Sequence, residues 1–271
     1  MQEKLDSSTD SEIIPQQKQF KVLLIGDSCI DRYVYGVCER VSPEAPVPVL
    51  KRSSEERIKG MSHNVRHNLE SFGVDVHMRS NEPYDIIKSR FIDYRYGQQL
   101  LRVDIEDPDI GDKLQIEQLP DSSNEYDALI ISDYDKGYVS SEVLFYMAEH
   151  FDGPVFIDSK KSKLPDFDNV ILKINDKEYS KLENKDASNL IVTKGIEGAE
   201  YRGNLYPAET VDVLAHVCGA GDTFFAALVY FYLETGSVEE AIPYANKAAA
   251  IAVSNFGTYT LTQEDIDEIR R

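Results

Sequence analysis

The sequence contains no tryptophan, only three cysteines among its 271 residues, and no apolar run that approaches the length of a membrane span. The cysteines, at positions 29, 38 and 218, have neither a paired spacing nor a metal-ligand pattern, which fits a reducing compartment. The N-terminus is polar and lacks the apolar core of a signal peptide. Together these absences predict a cytoplasmic protein.

Positive charge is scarce as well. The chain has 29 Lys and Arg residues against 48 Asp and Glu residues, for a formal net charge of -19 and a pI near 4.6. Such a surface argues against nucleic acid and anionic membranes as partners. It also repels phosphorylated molecules at long range. Any anion site must therefore be built locally, from backbone amides, a few cations and Mg²⁺.

The order of apolar runs predicts the architecture. Residues 1–19 are polar and without periodicity, so we expect a disordered leader, followed by one folded domain over residues 20–271 with no second domain beside it. In that domain, buried strands alternate with helices, which predicts an α/β fold with a mostly parallel sheet and helices on both faces. Charged, alternating stretches within residues 34–58 and 88–104 predict a small β-lid.

A glycine turn, Gly219-Ala220-Gly221-Asp222, opens an apolar helix near the C-terminal end of the chain. Such a turn leaves backbone N–H groups unpaired at the positive end of the helix dipole, where a phosphate binds well. An acid in the same turn would repel a phosphate. Its presence at a phosphate site therefore indicates a chemical role, such as taking a proton from a hydroxyl nucleophile. The alternative is an ordinary helix start with an aspartate in its favourable first turn.

Residues 217–227 resemble the second signature of the ribokinase-like (PfkB) carbohydrate kinases. Four more segments resemble the heptose 7-phosphate kinase branch of that family, the kinase half of the bifunctional heptose kinase/adenylyltransferase: residues 26–33, 42–49, 98–104 and 132–137. The similarity extends, with gaps, from about residue 21 to residue 260. It implies a ribokinase-like fold and an enzyme that uses ATP and Mg²⁺ to phosphorylate a sugar or sugar phosphate. Heptose 7-phosphate, a precursor for lipopolysaccharide, is the acceptor that the resemblance favours.

The resemblance also implies roles for individual residues. Asp222 would be the catalytic base, with Gly219, Ala220 and Gly221 forming the anion hole. Asn175 and Glu178 would hold Mg²⁺ through water, although an Asn cap with Glu three residues later is also a good helix start. The nucleotide would be bordered, besides these two, by Thr193, Gly195, Gly198, Asn246 and Gly257. The acceptor would be contacted by Asp31, Gly60, Asn64, Arg102, Asp133 and Lys136, of which Arg102 and Lys136 would offset a substrate phosphate.

Simpler structural roles remain open for several of these residues. Asp31 could cap the loop after the first strand, the turn at Thr193 could be a plain hairpin, and Asn246 could serve helix packing.

Three departures from the family pattern leave alternatives open. Met61 stands where relatives have a second glycine, the segment from Arg79 to Ile87 is short, and His216 and Cys218 replace an aspartate and a threonine. A kinase of another acceptor, such as a hexose, ketose or nucleoside, fits these changes. So does a non-catalytic relative that binds nucleotide or sugar. The charged lid strand predicts a monomer or a weak homodimer through the lid.

Overall fold

The computed structural model describes residues 19–82, 85–106, 113–120, 125–211, 218–255 and 257–271. The predicted leader, apart from Gln19, lies outside the described residues, as does His216. Within the described part the strands are Lys21–Gly26 (β1), Ser28–Val41 (β2), Pro48–Met61 (β3), Asp75–Ser80 (β4), Ile86–Asp93 (β5), Gln98–Glu106 (β6), Ala128–Asp133 (β7), Val155–Ser159 (β8), Val170–Asn175 (β9), Leu190–Thr193 (β10), Ala199–Tyr201 (β11) and Asn204–Tyr206 (β12). The helices there are Ser62–Ser71 (α1), Ser141–His150 (α2), Asp176–Lys181 (α3), Ala220–Thr235 (α4), Val238–Val253 (α5) and Gln263–Ile269 (α6).

The main sheet has the strand order β12-β11-β10-β9-β8-β7-β1-β4 among the described residues. From β10 to β4 all neighbouring strands are parallel, and β11 and β12 add an antiparallel edge. The β1 strand is buried from Val22 onward, as its continuous apolar sequence predicts for a central parallel strand. The predicted mostly parallel sheet is confirmed.

Helices cover both faces of this sheet. Val22 and Leu24 point into a core shared with α1, α4, α5 and α6, whereas Leu23 and Ile25 point into a second core with α2 and α3. This division follows from the two-residue period of a strand. Within α4, every residue from Asp222 to Phe231 is buried, so packing fixes the position of the glycine turn at its start.

The β-lid is a separate sheet with the order β3-β2-β5-β6. The β2 strand pairs antiparallel with β3 and parallel with β5, and β5 pairs antiparallel with β6. The lid covers the predicted ranges 34–58 and 88–104, but it begins earlier. Only Asp27 separates β1 from β2, so Asp31 lies within a lid strand rather than in the loop that the sequence predicted.

Among the described residues, no helix is both long and apolar enough to cross a membrane.

Candidate active site

The glycine turn is the start of α4. Gly219 is its N-cap, with a φ of 86° and a ψ of -11°, a left-handed conformation that favours glycine. The first N–H groups of the helix, at Ala220, Gly221 and Asp222, have no acceptor within the helix itself. They lie at the positive end of the dipole of a helix of 16 residues. The turn therefore has the donors that an anion hole requires.

Asp222 is buried, and other parts of the chain hold its carboxylate from two sides. The Nδ2 of Asn64, in the first turn of α1, donates to Oδ2 at 3.0 Å. The hydroxyl of Tyr134, just after β7, donates to Oδ1 at 2.5 Å. Burial raises the pKa of Asp222, while the two hydrogen bonds oppose that rise. A raised pKa and a fixed orientation together suit a general base.

A cavity of about 200 Å³ opens in front of this turn. Its lining residues come from the ends of several strands and from the glycine turn: Asp133, Tyr134, Asp158, Lys160, Lys173, Asn175, Glu178, Gly219, Gly221 and Asp222. In open α/β sheets, ligands bind beyond the carboxyl ends of the strands, and this cavity lies at that edge. The structure thus brings the predicted base, anion hole and magnesium residues together around one space.

Lys173 is a cation of this cavity that the sequence analysis did not select. It is buried on β9, and its Nζ lies 2.6 Å from Oδ2 of Asp158. A side-chain carbon placed on Gly221 would lie 3.3 Å from the same Nζ, so the ammonium reaches the anion hole. Its pKa is raised, although burial alone would lower it, because Asp158 stabilises the charged form. The glycine turn thus has a fixed positive charge beside its amides.

Asn175 and Glu178 form the helix start that the sequence analysis kept as an alternative. The Oδ1 of Asn175 accepts from the N–H groups of Lys177 and Glu178 at 3.0 Å each, and Glu178 Oε2 accepts from the N–H of Asn175 at 2.9 Å. Burial and repulsion from Asp158 raise the pKa of Glu178. A cation near the carboxylates of Glu178 and Asp158 would relieve the repulsion between them. Oxygen donors are the ligands that Mg²⁺ prefers. The residues present therefore fit a magnesium ion.

The nucleotide-side residues lie in two places. Thr193 ends β10, and Gly195 and Gly198 form the tight hairpin to β11, with φ angles of 57° and 104°. The simpler interpretation of this turn as a hairpin is therefore correct as to its shape. Gly257 precedes Thr258, against which Gly219 packs.

Asn246 has the helix-packing role that the sequence left open as the simpler alternative. It is buried on α5, and its Nδ2 donates to the backbone carbonyls of Tyr206 and Pro207 at 3.0 and 3.1 Å. Its amide donors therefore fix the segment after β12, and its place beside a nucleotide stays a prediction.

A cavity of about 670 Å³ lies near this segment. Glu209, Thr210 and Val211 form one wall, and α5 and α6 form the others. Residues 212–217, outside the described residues, connect Val211 to Cys218 and the glycine turn. The cavity is large enough for the nucleoside part of a nucleotide, because small-molecule sites begin at about 300 Å³.

On the lid side, Asp31 forms a buried ion pair with Arg90 of β5. Gly60, in the neighbouring strand β3, provides the room, since a Cβ there would collide with Oδ2 of Asp31. The same guanidinium also donates to the Sγ of Cys218 at 3.7 Å. The predicted residues Asp31 and Gly60 are thus in contact, and Arg90 links them to the residue before the glycine turn.

The three remaining acceptor-side candidates have their charges paired within the protein. Arg102 contacts Asp104 at 2.7 Å, and Lys136 contacts Glu106 at 2.7 Å. Asp133 accepts hydrogen bonds from the side chains of Ser159 and Lys161 at 2.6 and 2.7 Å and from the N–H of Asp135 at 2.9 Å. Arg102 and Lys136 thus have carboxylate partners within the protein, and their role toward a substrate phosphate stays a prediction.

Met61 occupies the strained position between β3 and α1. Its φ of 57° and ψ of -125° are rare for a residue with a side chain. The side chain is buried in a small cluster with Cys29 and Ile86, against which Tyr134 packs. Met61 therefore belongs to the cluster against which Tyr134, a donor to Asp222, packs.

The backbone of Tyr134 is held by the carboxylate of Asp27. Asp27 lies in the family-like segment 26–33, but the sequence did not single it out as a functional residue. The Asp27 carboxylate accepts the N–H groups of Tyr134 and Lys136 at 2.7 and 3.2 Å. Burial and repulsion from Asp133 raise the pKa of Asp27 to about 6. The signal in the sequence was an aspartate directly after an apolar strand, because a carboxylate buried at such a place needs hydrogen-bond partners.

Comparison with known proteins agrees with the geometry. Residues 173–265 match the pfkB family carbohydrate kinases. The chain is 32% identical over 312 residues to the bifunctional protein HldE of a Nitratiruptor species and 28% identical over 308 residues to that of Vibrio cholerae serotype O1. These alignments cover 93% and 94% of this chain but only 65% and 64% of the relatives. The chain thus spans slightly less than two thirds of their length.

Solved structures show the same fold. The ribokinase of Thermotoga maritima superposes with a TM-score of 0.67 at 18% identity, covering 93% of this chain and 99% of that one. The ribokinase of Arabidopsis thaliana, complexed with ribose and ATP, gives 0.66 at 16% identity, with 93% and 99% covered. Phosphofructokinase-2 of Escherichia coli gives 0.67 at 18% identity, with 93% and 97% covered. The predicted ribokinase-like fold class and the family resemblance are confirmed.

Proposed function

Since this chain carries a domain of the pfkB carbohydrate kinase family within a ribokinase-like fold, we propose that it transfers the γ-phosphoryl group of ATP to a hydroxyl of a sugar or sugar phosphate. One observation carries the proposal. Asp222 is a buried carboxylate with a raised pKa, oriented by Asn64 and Tyr134 at the start of a helix whose free amides face the same cavity.

In the proposed reaction, the acceptor hydroxyl attacks the γ-phosphorus while Asp222 takes the hydroxyl proton. The raised pKa makes Asp222 a stronger base than an ordinary aspartate, and its fixed carboxylate needs no reorientation. The N–H groups of Gly219, Ala220 and Gly221 stabilise negative charge on the transferring group, and Lys173 adds a cation beside them. Positioning and electrostatic stabilisation of this kind supply most of the catalysis in phosphoryl transfer.

Glu178 and Asp158 are the residues that would hold a magnesium ion, with Asn175 fixing Glu178 through the helix cap. The ion would add to the positive charge of Lys173 in neutralising the phosphates. We assign the nucleoside of ATP to the cavity between residues 209–211, α5 and α6, with the hairpin after β10 near the phosphates.

For the acceptor we propose heptose 7-phosphate, phosphorylated at O1 for nucleotide-sugar synthesis toward a surface polysaccharide. The resemblance of residues 42–49, 98–104 and 132–137 to the heptose kinase branch supports this, as does the similarity to bifunctional heptose kinase/adenylyltransferases. The buried pair of Asp31 and Arg90 offers a carboxylate and a guanidinium to the polar groups of such an acceptor.

The test is an ATP-turnover screen over heptose, hexose and pentose phosphates, their unphosphorylated sugars, and nucleosides. Turnover with heptose 7-phosphate at the highest kcat/KM supports the full proposal. Highest turnover with a hexose, ketose or nucleoside would keep the kinase and replace the acceptor. Saturable nucleotide or sugar binding without turnover on any acceptor would identify a non-catalytic relative and overturn the proposal.

A further inference from the structure

Two lysine side chains lie against the ring of Tyr134. The Nζ of Lys160 is 4.2 Å from the ring centroid, and the Nζ of Lys88 is 5.5 Å from it. Lys160 follows β8 of the main sheet, whereas Lys88 belongs to β5 of the lid. Since the hydroxyl of the same tyrosine donates to Asp222, the two sheets bring two ammonium groups to the immediate neighbourhood of the base.

Neither ammonium has a carboxylate oxygen within 4.0 Å in the part of the chain that the structure describes. Two of the nearby acids have cationic partners of their own. Asp104, directly across from Lys88 in the lid, contacts Arg102, and Asp158 contacts Lys173. Lys160 is exposed and Lys88 is half-buried, so both ammonium groups are accessible to a ligand. In a chain of net charge -19, such a pair calls for an anion as its partner.

We propose that Lys88 and Lys160 bind a phosphate group of the acceptor, so that the acceptor of this enzyme is a phosphorylated sugar. This deepens the proposed kinase function and rests on it. Lys88 lies on the acceptor side, because it pairs in register with Asp31 across β2 and β5. The γ-phosphoryl group of ATP, the other source of a phosphate here, already has the amides of the glycine turn and Lys173. A phosphate held by both lysines also draws the lid onto the main sheet.

The test compares Lys88→Met and Lys160→Met, which keep the aliphatic stem and remove the charge. Lys51→Met, at an exposed lid position, and Lys163→Met, exposed three residues after Lys160, are matched controls. Calorimetry without ATP measures binding of heptose 7-phosphate, fructose 6-phosphate and ribose 5-phosphate against the same sugars without phosphate. Steady-state assays give KM for acceptor and for MgATP. The arginine variants of Lys88 and Lys160, which keep the charge, separate lost charge from lost fold.

Each methionine variant is expected to weaken binding of the phosphorylated sugar about 10- to 100-fold, the range for one charge-assisted contact. Binding of the unphosphorylated sugar and KM for MgATP should stay within about twofold, and arginine should recover most of the loss. A raised KM for MgATP with unchanged acceptor binding would assign the lysines to the γ-phosphate and overturn the inference. Equal losses for both forms of the sugar would overturn it too. Lysine-dependent binding of sugar phosphates without any turnover would uphold this subsite while the kinase function fails.

Discussion

Replacing Asp222 by asparagine separates a catalytic base from a structural helix start. Asparagine keeps the size of the side chain but cannot accept a proton from a hydroxyl at neutral pH. The hydroxyl of Tyr134 can still donate to its carbonyl oxygen, and the amide of Asn64 can rotate to accept from the new NH₂ group. The variant therefore removes a charge while it retains the local contacts.

Two opposing effects decide its stability. A negative charge in the first turn of α4 gains about 0.3–1 kcal/mol from the helix dipole. Burial of that charge costs several kcal/mol. The raised pKa of Asp222 shows that the cost of burial is the larger effect, because the folded chain binds this proton more tightly than the unfolded chain does. The cost of ionisation grows as the pH rises toward the folded pKa and is complete above it. At neutral pH we expect Asp222→Asn to unfold at an equal or higher temperature than the wild type.

Turnover should fall by about two to four orders of magnitude, the usual contribution of a general base. Binding of MgATP should be retained, since a negative charge near the γ-phosphate has been removed. The assay is a thermal melt and steady-state turnover on one preparation. Glu142→Gln, which changes an exposed first-turn acid of α2, is the control. Wild-type turnover in a folded Asp222→Asn protein would refute the role of the base. Loss of folding would instead indicate a structural carboxylate.

Four further outcomes are expected. Met61→Gly should change KM and acceptor preference more than kcat, which a panel of acceptors would show and identical profiles would contradict. Arg90→Met should lower the free energy of unfolding by about 3–5 kcal/mol in urea titrations, because it leaves Asp31 buried without its partner. The rate should decline on acidification through the raised pKa of Asp222. Tyr134→Phe removes a contact that lowers this pKa, so it should move the midpoint of the pH profile upward. A midpoint near the ordinary aspartate pKa of about 4 in both the wild type and the variant would contradict this. Sedimentation should give a monomer or a weak dimer, although β6 exposes apolar side chains. A tight dimer at nanomolar concentration would contradict this prediction.

Those parts of the site that depend on local sequence could be predicted. The glycine turn and the helix after it are set by neighbouring residues, so Gly219 through Asp222 were found from their order alone. The parallel sheet followed from continuous apolar runs such as that of β1. The cap formed by Asn175 and Glu178 was one of two stated interpretations, and its geometry is present.

Contacts between distant parts of the chain could not be predicted. Asp31 meets Arg90 across 59 positions, and Tyr134 meets Asp222 across 88. Neither pairing leaves a periodic signal in the sequence. Asp31 was placed in a loop because a glycine and an aspartate usually end a strand. Here the chain continues with a single intervening residue into a different sheet.

Met61 shows how a departure from the family pattern is accommodated. Its left-handed backbone costs about 1–3 kcal/mol, a strain that glycine would not carry. Burying a methionine side chain contributes about 1.5–3 kcal/mol, enough to offset that strain. The cluster that provides this burial packs against Tyr134, which orients the base. Through this cluster Met61 supports the contact of Tyr134 on Asp222, so we expect its replacement to shift the pKa of the base as well as the choice of acceptor.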